Sequence, residues 1–286
     1  MVAERAEWLK KRSQSVGASE VAALLGLSPY ESTYSLWAKK TGVDPLDFED
    51  EPEWVRWGNL IEPIICDEYS RETGRKVIDH GRYAVKHSAT CPHLSATLDR
   101  EVVAFDERGN GVMDAKNAGF YKGSEWTDTP PLIYQIQIQA QLEVTGYRWG
   151  SLAVLIGGNT FRWCDIERDE PFIALIRKKV AEFWKLVETE TPPPIDGSGS
   201  TAEVLRRLYP NDKGTTIALP GEAMQWTDEY VKAGEEAKDA EAKQQLVKNK
   251  LIAAIGENTF GILPNGQKWS FKANARGVRT LRLLGR

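Results

Sequence analysis

Between Lys76 and Lys116 the chain reads as short extended runs, RKVID, YAVKH, EVVAF and GVMDAK, broken by Gly, Pro, Asn and Asp. DERGNG is a strong turn signal between the last two. On both sides of this block the apolar residues recur at helical spacing. A sheet-forming centre set between helices is the pattern of an α/β core. Ahead of it, GASEVAALLG carries Ser19 as an N-cap and Gly26 as a stop, and TYSLWAKKTG follows the turn LSPYES. EPEWVRWGNLIEPIICDEYSRETG then places Trp54, Trp57, Ile61, Ile64 and Ile65 at helical spacing. Behind it, the prolines of PPLIYQIQIQAQLEVTG begin a helix. WGSLAVLIGG and TFRWCDI form a hairpin around Gly157 and Asn159, and EPFIALIRKKVAEFWKLVETE is an amphipathic helix.

The remainder is set apart by TPPPIDGSGS. We expect a core over residues 1–190, a linker over 191–200 and a C-terminal extension over 201–286. The extension holds a long charged helix from Asp228 to Ile255, a hairpin, and a last strand, VRTLRLL. Its final stretch carries Lys268, Lys272, Arg276, Arg279, Arg282 and Arg286 and no acid. Such a strip suits phosphate tracking and a solvated hairpin face about equally.

Charge and cysteine usage narrow the classes. With 37 basic and 41 acidic residues the formal net charge is -4, which argues against indiscriminate coating of nucleic acid while leaving room for a local basic channel. Cys66, Cys91 and Cys164 show neither a disulfide framework nor metal-cluster spacing, so we expect a reducing, cytoplasmic setting. The start is charged, unlike a secretory signal, and no apolar run approaches roughly 18 residues, so no membrane span is expected. His80, His87 and His93 lack metal-ligand spacing, and no nucleophile motif, P-loop or dinucleotide fingerprint occurs.

The chemistry-bearing residues lie in and around the sheet block. Asp114 and Lys116, two apart on one strand, point to the same face. Asp99 belongs to the preceding extended region, within reach of a shared cation. Carboxylate and carbonyl oxygens suit Mg²⁺. A lysine beside such an ion can position or deprotonate water and stabilise phosphate charge. Taken alone, these three also suit a solvated, salt-bridged strand face. Glu62, in WGNLIEP, is an acid on a mostly apolar helix and becomes a candidate third ligand. Ser19 at a helix start, with Arg12 seven residues earlier, offers an anion site. Gln137 and Gln141 share one helical face and Gln135 and Gln139 another, so one pair faces the core or the site.

In this order, RSQSVGASEVAALLGLSPYESTYSLWAKKTG, WGNLIEP, SATLD, DAK and YQIQIQAQLEVTG resemble the YqaJ-type viral recombinases, the lambda-exonuclease-like branch of the PD-(D/E)xK nucleases. The resemblance spans roughly residues 12–188. It implies a restriction-endonuclease-like core, a central mixed sheet flanked by helices, and a two-metal-type phosphodiester hydrolase. The implied activity is Mg²⁺-dependent (Mn²⁺ serving as an alternative) 5′-to-3′ digestion of duplex DNA ends, leaving 3′ tails for phage-type recombination. Glu62, Asp99 and Asp114 would bind metal and Lys116 would be catalytic. Arg12 and Ser19 would hold the 5′-phosphate. Gln137 and Gln139 match the paired glutamines, one of which serves the site. A single-strand annealing partner, a homotrimer, and a phage or prophage origin within a bacterial host complete the implied picture. Asp114 stands where Glu is usual and Leu98 where the motif has proline. The iron–sulfur branch is disfavoured, because it needs four cluster cysteines. An endonuclease of the same superfamily and a catalytically inactive DNA-binding recombination module are the competing readings.

Overall fold

The computed structural model describes residues 8, 12–44, 52–127 and 129–284. The expected α/β architecture is the one found: a mixed sheet with helices on both faces. Five strands lie in the order β2 (Val77–Ile78), β5 (Arg100–Val102), β6 (Gly111–Ala118), β7 (Trp149–Ile156), β8 (Thr160–Glu167). β6 and β7 are parallel and the other neighbours antiparallel. A smaller sheet pairs β1 (Val16–Gly17) in parallel with β4 (Leu94–Thr97), and β4 with β3 (Val85–His87).

Alternation along β6 and β7 sends their side chains to two different cores. Met113, Trp149 and Ala153 meet Ile65, Cys66 and Tyr69 of α3 (Glu53–Thr73). On the other face Val112 joins Ile136, Ile138 and Leu142 of α4 (Leu132–Thr145). That core also takes in α1 (Val21–Leu24), α2 (Thr33–Thr41) and α5 (Glu170–Glu188). The close seating of α4 depends on Gly150. A Cβ there would lie 2.5 Å from Val112 Cγ2 and 3.0 Å from Ile138 Cγ2.

The apolar stripe expected on α3 is only partly the buried one. Trp54, Trp57 and Ile64 are exposed, whereas Ile65, Cys66 and Tyr69 are buried and Ile61 is partly so. The reason is that the helix meets the sheet through its second half. Its first half flanks the cavity described below, and Pro63, inside the helix, has no N–H to offer the Asn59 carbonyl.

The chain divides into compact units at residue 212, not within residues 191–200. The segment after the prolines forms α6 (Gly199–Leu208), capped by Ser198, with Val204 wholly buried in the main core. Ser32 and Thr201 hydroxyls meet at 2.8 Å, and Arg207 grips Asp44 with Nε–Oδ1 at 2.9 Å. The second unit contains α7 (Ala223–Ile255) and an antiparallel sheet of β9 (Phe260–Ile262), β10 (Lys268–Ala273) and β11 (Arg279–Leu284). Of the basic strip, Arg286 lies outside the described residues. Among the described residues no helix is long and apolar enough to cross a membrane.

Candidate active site

Asp114 and Lys116 sit on β6, on the face covered by α4. Asp114 is 1% exposed. Its Oδ1 accepts from Gln137 Nε2 at 2.6 Å and from Gln141 Nε2 at 3.0 Å. Its Oδ2 lies 2.6 Å from Lys116 Nζ but receives no aligned hydrogen bond. Lys116 in turn donates to Gln137 Oε1 at 3.1 Å and stands 5.1 Å from the centre of the Tyr134 ring. Two side chains four apart on α4 therefore close on two side chains two apart on β6.

Asp99 lies between β4 and β5 and joins this group through the backbone. The β5–β6 ladder ends at Arg100 and Met113. Two residues further on, the Ala115 amide donates to Asp99 Oδ2 at 2.8 Å. Burial and the negative charge of Asp114 hold the Asp99 carboxyl well above the usual carboxylate range. Burial pulls the Lys116 ammonium down, but the charges of Asp114 and Asp99 outweigh it and the net shift is upward. Lys116 is thus firmly cationic, which suits it to stabilising charge better than to removing a proton.

Glu62 is not grouped with the two aspartates in the way expected. Arg100 Nη1 holds Glu62 Oε1 at 2.9 Å, and Arg100 also reaches Asp79 at 3.4 Å. Burial raises the Glu62 carboxyl, with the Arg100 charge opposing. Among the described residues no three His, Cys, Asp or Glu side chains converge as a metal cage.

A cavity of about 430 Å³ opens beside this cluster, lined by Arg12, Ser19, Glu62, Asp99, Arg100 and Gln137 among others. Gln137 links cavity and cluster, since its amide both lines the wall and holds Asp114 and Lys116. Arg12 Nη2 donates to Ser19 Oγ at 3.4 Å and the guanidinium lies 4.8 Å from the Trp8 ring centre. Gly17 makes room for it, because a Cβ there would sit 2.9 Å from Arg12 Nη2.

One expectation needs correction. Ser19 is not an N-cap: it lies inside a three-residue 3₁₀ turn, Ala18–Glu20, whose cap position is Gly17. The Gly17 amide donates instead to Glu20 Oε2 at 2.7 Å, and Glu20 is bound by Lys40 at 2.7 Å and lies 3.5 Å from Arg12. Burial works against ionisation of Glu20, yet the Lys40 and Arg12 charges hold its carboxyl below the usual range. Of the paired glutamines, one of which is expected at the site, Gln139 is the one that lies elsewhere. Its amide donates to the Glu167 carbonyl at 2.7 Å and accepts from the Asp169 amide at 2.9 Å, at the β8–α5 junction. Residues two apart on a helix point to different sides, so Gln137 and Gln139 cannot serve one site. Spacing alone does not single out Gln141, Arg100 and Tyr134 as site residues. The signal for Gln141 is the helical face it shares with Gln137.

The YqaJ-like viral recombinase domain matches residues 7–148, a span that includes every side chain of this cluster and of the Arg12 pocket. Uncharacterized protein YqaJ of Bacillus subtilis (strain 168) is 30% identical over 268 residues, covering 92% of this chain and 82% of that protein. The chain belongs to the YqaJ family. The YqaJ-family fold seen here resembles that of an alkaline exonuclease (LHK-Exo) from Laribacter hongkongensis, with a TM-score of 0.53 and 24% identity, over 65% of this chain and 94% of that one. The same enzyme in complex with dAMP gives a TM-score of 0.54 at 24% identity, over 71% and 96%. The fold is that of the PD-(D/E)xK nucleases.

The cluster stores repulsion, and this has a measurable consequence. A carboxyl whose folded pKa is raised destabilises the fold once it is ionised. Asp99→Asn keeps the shape and the acceptor for the Ala115 amide. In chelator at pH 7 it is expected to stabilise the fold. The gain should shrink as pH falls through the raised Asp99 value and vanish below about 3.9. Urea unfolding of the two proteins across pH checks this, and a less stable Asn variant at pH 7 contradicts it.

Proposed function

We propose that this chain is a divalent-metal-dependent 5′-to-3′ exonuclease acting on duplex DNA ends. The observation that carries the reading is the Asp114–Lys116–Gln137–Gln141 cluster beside Asp99, at the wall of a cavity that also holds Arg12 and Ser19. The residues fit a hard cation: the donors are oxygens, and Asp114 Oδ2 is a buried carboxylate oxygen with no aligned hydrogen bond. Asp99 and Asp114 would hold Mg²⁺ or Mn²⁺, and Glu62 would join them by giving up Arg100. When bound, such an ion supplies an acidified water and neutralises phosphate charge.

The chain's own residues do the rest. Lys116, fixed by Asp114 and Gln137, presents its ammonium to the negative charge that builds on the scissile phosphate. Gln137 and Gln141 keep Asp114 in one rotamer, so that its other oxygen, beside the Lys116 ammonium, faces a constant direction. Arg12, seated against Trp8 and beside Ser19, takes the terminal phosphate. The alkaline exonuclease with a similar fold, known also in complex with dAMP, supports a nuclease that releases mononucleotides. Recombination by way of 3′ single-stranded tails, alongside an annealing protein, is the role that the family's description as a viral recombinase favours.

Linear and covalently closed circular plasmid, each with and without Mg²⁺, provide the test. The linear form alone should be degraded, and only with the ion. Lys116→Ala should slow this on the order of 100–1,000-fold in a protein that still folds, with a lowered thermal melt because buried Asp114 loses its countercharge. Cleavage of closed circles would favour an endonuclease, and near-wild-type turnover in Lys116→Ala would remove the lysine from the mechanism.

The Arg12 pocket predicts a preference for 5′-phosphorylated over 5′-hydroxyl ends, because a terminal phosphate exposes more charge to a guanidinium than a bridging diester does. Glu20 limits the pocket's positive charge, so the preference should rest on Arg12. Initial rates on matched duplexes should show it in the wild type and lose most of it in Arg12→Ala. Equal wild-type rates would contradict the pocket.

A further inference from the structure

α7 runs for 33 residues, about 50 Å at 1.5 Å per residue. Every residue from Met224 to Lys250 is exposed, and the helix is covered again only toward its end, where Leu251 and Ile252 are half-buried and Ile255 is buried. Ala, Glu, Lys and Gln favour helix along this solvated length, and Gly234 in its middle opposes it.

One face carries a repeat. From Trp226 the steps alternate four and three residues: Tyr230, Ala233, Ala237 and Ala240 follow. The same alternation continues through Gln244, Val247 and Leu251. This is the spacing of a coiled-coil seam, sustained for more than three heptads. Trp226 and Tyr230 are 58% and 82% exposed and Val247 is 54% exposed, so the seam is open to a partner.

The flanking charges select the partner and its direction. On one flank the residues preceding every second seam position, Tyr230, Ala237, Gln244 and Leu251, are Glu229, Glu236, Lys243 and Lys250; on the other, Glu241 and Lys248 follow Ala240 and Val247. In a parallel pair, flanks of opposite type meet. Glu236 would then face Glu241 of a second copy, and Lys243 would face Lys248, like against like. In an antiparallel pair the same flank meets itself in reverse. Glu229 then faces Lys250 of the second copy and Glu236 faces Lys243, giving four opposite-charge pairs by symmetry. That register also matches sizes. Trp226 lies opposite Leu251, Tyr230 opposite Val247, and Ala237 opposite Ala240, so bulk at each end meets aliphatic chains and small residues allow close approach at the centre. Glu236 stands 3.9 Å from Lys232 on its own helix, a solvated contact that leaves the carboxylate available.

We propose that α7 is a self-association element, through which two copies of this chain pair as an antiparallel coiled coil. This is independent of the catalytic reading.

Sedimentation equilibrium of the full chain tests it. Glu229→Lys/Glu236→Lys makes the whole flank basic, and Lys243→Glu/Lys250→Glu makes it acidic. Each double variant should weaken α7-mediated association at least tenfold. An equimolar mixture of the two should restore it, as should the quadruple reversal alone. In a parallel pair the sign is opposite, because a basic side chain at position 236 would meet Glu241, and an acidic one at position 243 would meet Lys248. Each double variant would then bind itself more tightly. Reversals that leave association unchanged or tighten it overturn the proposal. So does a mixture that fails to restore it, or a wild-type chain that stays monomeric at about 100 μM.

Discussion

The contact on which the site depends is the buried carboxylate of Asp114 between two α4 amides and one ammonium. A carboxylate that is 1% exposed costs several kcal/mol in desolvation unless donors surround it. Gln137 and Gln141 supply two hydrogen bonds and Lys116 supplies the countercharge. The arrangement requires β6 to present residues 114 and 116 on one face, and α4 to lie close above them. Gly150 permits that approach, and the apolar packing of Ile136, Ile138 and Leu142 holds it. Core and site are thus one construction, with the polar cluster embedded in the helix–sheet interface.

The cluster is unevenly compensated, in a way that suits a binding site. Asp99 is pushed toward its neutral form by burial and by Asp114, while Glu62 is turned into Arg100. A fold gains nothing from holding two acids so close. The same proximity is useful when a cation must be drawn in. Arg12 lines the same cavity, and Glu20, bound by Lys40, lies 3.5 Å from it. The cavity wall therefore carries both carboxylates and guanidinium groups.

Much of this was legible in the sequence. Period-two runs and turn residues located β6, β7 and β8, and the i, i+2 spacing placed Asp114 and Lys116 together. Other features depend on tertiary packing that spacing does not encode. Trp54 and Ile64 carry the same helical signature as Ile65, and only the angle at which α3 meets the sheet separates exposed from buried. Ser19 resembles a cap in sequence, but the acceptor that the local turn uses is Glu20, drawn in by Arg12 and Lys40. Gln139 matches the motif yet serves the β8–α5 junction, since neighbouring glutamines on a helix diverge. The Pro- and Gly-rich stretch before α6 reads as a linker, whereas Val204 anchors the following helix in the core.

The central claim is that Asp99 and Asp114 together form a site for a divalent ion. Titration of Mn²⁺ into the protein, followed by the loss of the free-ion paramagnetic resonance signal, tests it without reference to activity. The account predicts saturable binding in the wild type, near-complete loss in Asp114→Asn, and retention in Asp114→Glu, which keeps the charge on a longer arm. Equal Mn²⁺ binding by wild type and Asp114→Asn would contradict it.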